Sequence, residues 1–98
     1  MTETPPALAE LRTAIDELDG EIVRLLASRE ALVRRAAPLK RDADAVRAPD
    51  RVAQVIARVR DLATEVGADP TTVERIYRAM IQAYIDLEST EHHRLTSA

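Results

Sequence analysis

The chain has no cysteine, phenylalanine or tryptophan, only two tyrosines and only two glycines in 98 residues. Without cysteine there can be no disulfide, thiolate nucleophile or cysteine-held metal. With so few aromatics, the apolar content is mostly Ala, Leu, Val and Ile, which packs helix on helix well but fills a broad core poorly. At this length the chain is one domain near the lower limit for a self-sufficient core, so subunits are expected to share one. There is no excess of positive charge either. The formal net charge is −3, which excludes a global basic field for nucleic acid and leaves any anion to be met locally by Arg and Lys. No apolar run approaches membrane-span length, and "MTETPPALAE" lacks the basic-then-apolar order of a signal peptide. The cytoplasm is the expected location, with no membrane partner.

What is present is helical periodicity. Pro5 and Pro6 suit a helix start, where a missing N–H costs nothing. Leu8, Leu11, Ile15, Leu18, Ile22, Leu25 and Leu32 then recur with only Pro38 as an interruption, near the far end. This predicts one helix of about thirty residues, about 45 Å long, which is longer than a compact domain of this mass is wide. The polar "RDADAVRAPD" reads as a connection. A second helix follows from Pro49 through "DRVAQVIARVRDLATEV", with Gly67 as its stop. Asp69 and Pro70 form an N-cap and first-turn pair for a third helix, "TTVERIYRAMIQAYIDLEST". Nothing alternates like a strand. The expected class is all-α, with one long helix and two shorter ones. Residues 1–6 are expected as a disordered N-terminal tail, 7–91 as the helical domain and 92–98 as a C-terminal tail.

Two ionisable residues break the apolar stripes. Arg29 lies within about 40° of Ile22, Leu25, Val33 and Ala36 on a helix. Glu88 shares a face with Tyr77, Ile81 and Tyr84 in the third helix. Left buried and unpaired, either would cost several kcal/mol. Both could instead snorkel to water from the stripe's end. Lys40 lies eleven residues past Arg29. If the helix survives Pro38, the two look into one space from about 16 Å apart along the axis. Arg12 lies about 100° round from Arg29, so it could join that pocket only from an antiparallel partner chain. Guanidiniums and an ammonium beside one carboxyl suit a small dicarboxylate. His92 and His93 lack a matching metal-ligand set and are expected at an exposed end; no metal is expected. Arg34, Arg35, Arg58 and Arg60 are expected on solvated faces; Arg47 could close over the ligand from the loop or be solvated, the second being favoured, and Asp19 is expected to be structural.

These residues resemble the all-helical chorismate mutase family. "LAELRTAIDELDGEIVRLLASREALVRRAAPLK" is similar to that family's long first helix, and the likeness runs through "APDRV" to "YRAMIQAYIDLE". The ordered set L-R-x-x-I-D-x-L-D, Arg29 and Lys40 carries it. The resemblance implies an intertwined helical homodimer whose active sites draw on both chains. Arg12 would reach into the neighbouring site, while Arg29 binds substrate within its own. Lys40 would contact a carboxylate and the ether oxygen, Arg51 would add positive charge, and Glu88 would hydrogen-bond the ether oxygen. Ile81 and Tyr84 would line the substrate pocket. Arg29 would then sit in the stripe because the stripe lines a pocket, with the ligand as its counter-ion.

The implied reaction is the unimolecular [3,3] rearrangement of chorismate to prephenate, a step of aromatic amino acid biosynthesis, which needs no cofactor. Val52 follows Arg51 where well-known bacterial members carry Glu, and the Lys40–Arg51 segment looks more like the isochorismate pyruvate lyase branch. That activity and 4-amino-4-deoxychorismate mutase therefore stay open as alternatives. A non-enzymatic helical dimerisation module would explain the long helix, but not Arg29 and Glu88. Glu88 can donate to an ether oxygen only when protonated. Turnover is therefore expected to fall as rising pH ionises it, and Glu88→Gln to flatten the pH profile; an unchanged profile in that variant would remove Glu88 from the role.

Overall fold

The structure, a computed structural model, describes residues 4–96. Among these every regular element is helical: α1 (Pro6–Ala36), a 3-10 turn (Ala37–Leu39), α2 (Ala43–Arg47), α3 (Pro49–Val66) and α4 (Pro70–Thr96). Residues 1–3 of the expected N-terminal tail and 97–98 of the C-terminal one lie outside the described residues. The helix α4 carries on through 92–96. None of the described helices is long and apolar enough to cross a membrane.

The chain resolves into two compact units, one up to Leu32 and one from Val33 on. The first is the bulk of α1, a 31-residue helix as its periodicity predicts, with no buried residue. Its stripe of Leu11, Ile15, Leu18, Ile22 and Leu25 is at least half exposed, reaching 70% at Leu25.

The end of α1 differs from the sequence expectation. Pro38 cannot donate an i→i−4 hydrogen bond and its ring clashes with the preceding turn, so the α-helix stops at Ala36 and tightens into a 3-10 turn with Pro38 inside it. Lys40 follows in extended backbone (φ −90°, ψ 136°), its N–H donating to the Ala37 carbonyl. It is therefore not a residue of the long helix, and the helical spacing between Arg29 and Lys40 does not apply.

In the second unit, α3 packs on α4, and the 3-10 turn and α2 also pack on α4. The core is Val55, Ile56, Val59 and Ala63 from α3, with Ala37 and Val46. The α3 set recurs at i, i+1, i+4 and i+8, one helical stripe, and each Val or Ile there contributes about 1.5–3 kcal/mol by burial. The half-buried Val73, Tyr77, Met80, Ile81, Tyr84 and Ile85 of α4 are the face anticipated from periodicity.

Local chemistry fixes the joints. Gly67 (φ 80°) closes α3 with its N–H on the Thr64 carbonyl, while Ala68 N–H reaches the Ala63 carbonyl. This is the paired bonding of a left-handed helix cap. Two residues later the Asp69 carboxylate accepts from Thr72 N–H (2.9 Å) and Thr72 Oγ1 (2.6 Å), starting α4. The expected connection "RDADAVRAPD" contains the extra helix α2, capped by Asp42, whose carboxylate accepts from Ala45 N–H at 2.9 Å. Ala48 alone joins α2 to α3, in the left-handed conformation (φ 41°, ψ 61°).

The Arg60 guanidinium, expected to be solvated, instead donates to Glu74 at 2.8 Å and so bridges α3 to α4; Arg78 holds the other Glu74 oxygen at 2.8 Å. The Arg78 and Arg60 hydrogen bonds hold the Glu74 carboxyl below its ordinary range. A carboxyl lowered by folding stabilises the folded state above its unfolded-state pKa, and that stability is lost as pH falls through the folded value. Glu74→Gln should therefore lower the melting temperature at pH 7 and lower it less at pH 3. Thermal melts at both pH values check this, and an equal loss at both would contradict it.

Candidate functional site

The 3-10 turn and the extended backbone after it place Lys40 beside Glu88 on α4. The Lys40 ammonium contacts both carboxylate oxygens of Glu88, at 2.7 and 2.9 Å. Glu88 is the one buried charged residue among those described, with a side chain 6% exposed, and that of Lys40 is 27% exposed. The carboxylate is thus enclosed by protein while the Lys40 side chain stays partly open to solvent. Together they supply a cation that a ligand can reach, held by a rigid counter-ion on a helix. Three N–H donors on the ammonium and two acceptor oxygens leave capacity for a further acceptor.

Tyr84 and Ile81 lie four and seven residues before Glu88, on the same face of α4, and both are half-buried. One turn beyond Glu88, His92 Nε2 lies 2.7 Å from the Lys40 carbonyl oxygen. This corrects the expectation of an exposed His92: the ring is half-buried against the Lys40 segment. His93 is exposed. Arg34, expected to be solvated, forms an ion pair with Glu91. Arg94 approaches the other Glu91 oxygen at 3.6 Å. Residues 34–40 are therefore held along α4 at three points, by Glu88, Glu91 and His92. Periodicity could not find the last two contacts, because they join residues more than fifty positions apart.

Of the other expected site residues, Arg51 stands exposed in the first turn of α3, its guanidinium 3.4 Å from Gln54 Oε1. Val52 beside it is half-buried. Arg47 is exposed and pairs with Asp44 at 3.1 Å within α2, in keeping with a solvated role. On α1, Arg12 is exposed, and Arg29 is half-buried and engaged with a partner. Lys40 and Glu88 are thus the pair brought into direct contact. Among the described residues, no cluster of three or more His, Asp or Glu is gathered to hold a metal ion.

Chemically, the pair is a charge-assisted clamp. Such hydrogen bonds are about twice as strong as neutral ones, and loss of one partner leaves the other without compensation. Lys40→Met should destabilise the protein at pH 7 by about 1–3 kcal/mol, the penalty of an unsatisfied buried group. Adding Glu88→Gln, which removes the stranded charge, should recover part of that loss. Denaturant unfolding of the two variants and of the Glu88→Gln single variant checks the coupling; strictly additive effects would show that the contact carries no energy.

The family model for chorismate mutase type II matches residues 11–89. An isochorismate pyruvate lyase of Pseudomonas aeruginosa is 37% identical over 78 residues, which span 80% of this chain and 77% of that protein. A chorismate mutase of Methanocaldococcus jannaschii is 32% identical over 76 residues, 76% of this chain and 77% of its own. A bifunctional chorismate mutase/prephenate dehydratase of Aquifex aeolicus is 36% identical over 85 residues, 83% of this chain but only 24% of that protein.

Proposed function

The chain belongs to the chorismate mutase type II family, and from that premise we propose that it converts chorismate to prephenate at a site built around Lys40 and Glu88. The observation that carries this reading is the ammonium held 2.7 Å from a buried carboxylate on α4. An intramolecular rearrangement asks for a donor at the ether oxygen and for fixed charges at two carboxylates. It asks for no nucleophile.

The reaction breaks the ether C–O bond as a C–C bond forms between the enolpyruvyl methylene and the ring. Negative charge grows on the ether oxygen, and Lys40 donates to it. A positioned donor of this kind contributes about 3–4 kcal/mol to the barrier. Glu88 orients the ammonium in the ligand-free site, and donates to the ether oxygen once protonated. Arg29 and Arg51 are the proposed carboxylate clamps, with Arg12 supplied by a second copy of the chain, and Ile81 and Tyr84 form the apolar wall. Held this way, the flexible side arm spends its time near the reactive conformer, a large share of the catalytic effect in intramolecular reactions.

The homodimer is part of the same proposal. The apolar stripe of α1 is exposed along its length, and a second copy laid on it would bury that stripe. The cytoplasmic location is proposed with it.

A second reading, pyruvate elimination from isochorismate, is favoured by Val52. An apolar side chain after Arg51 offers no hydrogen bond to a ring hydroxyl, and the 37% identical relative is named for that activity. The same clamps would hold isochorismate, and hydrogen transfer would take the place of C–C bond formation. 4-Amino-4-deoxychorismate is the third substrate to test.

Incubation with each of the three compounds separately, followed by product identification, decides among them. Prephenate from chorismate is expected, and Lys40→Ala should reduce kcat about 10²–10³-fold. A wild-type protein inert toward all three would leave the dimerisation module as the reading, and this module should gain no melting temperature from bicyclic dicarboxylates.

A further inference from the structure

Lys40 is fixed to α4 at two atoms of one residue. Its ammonium is on Glu88 and its backbone carbonyl is 2.7 Å from His92 Nε2. Glu88 and His92 are four apart, so one helical face grips both the head and the root of this side chain. The root needs such a grip. Lys40 lies outside any helix, in extended backbone after a 3-10 turn, and its own N–H is spent on Ala37. Between carbonyl and ammonium run four methylenes, so a small rotation of the Lys40 peptide is amplified at Nζ. A carbonyl oxygen can only accept, so His92 Nε2 is the donor and must carry the proton.

We infer that His92 is a positioning residue for the reaction: by donating from Nε2 to the Lys40 carbonyl it sets the peptide from which the catalytic ammonium projects. The role rests on Lys40 being the cationic donor proposed above. In this role His92 acts through the Lys40 backbone, not on the reacting atoms. Glu91, the residue before His92 on α4, adds a second restraint by holding Arg34 at the end of α1. His92 is the one of these restraints that acts on Lys40's own backbone.

The test is steady-state kinetics with chorismate on the full chain carrying His92→Phe, His92→Gln, Lys40→Ala and the Lys40→Ala/His92→Phe pair. His92→Phe keeps the ring and loses the donor. Its kcat should fall about 10–100-fold, the scale of an ångström-sized misplacement of a catalytic group, with KM little changed. His92→Gln, whose amide Nε2 can donate to the same carbonyl, should recover most of that loss. In the Lys40→Ala background, His92→Phe should cost nothing further, because the group it positions is gone. Wild-type kcat in His92→Phe, or the same fold-loss with and without Lys40, would overturn the inference. Lys40→Ala at wild-type activity would instead overturn the functional reading beneath it. Nitrogen-15 shifts of His92 in the wild-type protein give a readout independent of turnover: the Nε2–H form is expected, and the Nδ1–H form would overturn the assignment even if the Phe variant fails to fold.

Discussion

An ammonium and a carboxylate lie 2.7 Å apart, and the carboxylate belongs to a buried residue; much of the second unit can be understood as the means of keeping them there. Enclosing a carboxylate is costly unless hydrogen bonds and a counter-charge compensate it, so Glu88 has a place on α4 only because Lys40 arrives beside it. Lys40 arrives because α1 ends abruptly. Pro38 stops the α-helix, a 3-10 turn follows, and extended backbone then carries the lysine onto α4. Once there it is held by its own carbonyl as well as its side chain. A cation that must donate at one point in space benefits from this, since a lysine on a free loop would spread its charge over many rotamers.

The long helix presents the complementary constraint. Over most of its length α1 buries little, and Leu11, Ile15, Leu18, Ile22 and Leu25 remain open. A stripe this long is larger than ordinary surface apolarity, and the same helix carries Arg12 and Arg29. Covering of the stripe and assembly of the cationic site would, on the proposed reading, be one event. Folding, association and substrate binding would then draw on the same side chains, so the associated fraction and the activity would rise together with protein concentration.

Much of this was legible in the residues because its causes are local. The 31-residue helix follows from spacing, the stop at Gly67 from a left-handed cap that glycine adopts at no cost, and the start of α4 from an Asp–Pro pair. Arg29 and Glu88 stood out as charges in apolar stripes, and Glu88 is indeed the buried one. What could not be read falls into two kinds. Helix α2 has five residues, too few for a period to register. The contacts of His92 with Lys40, Arg34 with Glu91 and Arg60 with Glu74 depend on which elements meet, and spacing along one helix carries no information about that. Arg34 and Arg60 read as surface charges for the same reason. The resemblance placed Lys40 and Glu88 at one ether oxygen without predicting that they touch; helical spacing suggested a shared face for Lys40 and Arg29 by extending α1 through Pro38, which the structure does not do.

The junction at Ala48 has a consequence for how this segment can vary. A single left-handed residue ends α2 and begins α3, its N–H bonded back to Asp44 and its carbonyl accepting from Val52. There is no slack in which an inserted or deleted residue could be absorbed. Each residue added after the joint would turn the downstream helix by about 100° and advance it by about 1.5 Å, carrying Arg51 to a different azimuth while Val55, Ile56 and Val59 lost their seat on α4. Between Asp42 and the first turn of α3, the identity of the amino acids is therefore freer than their number.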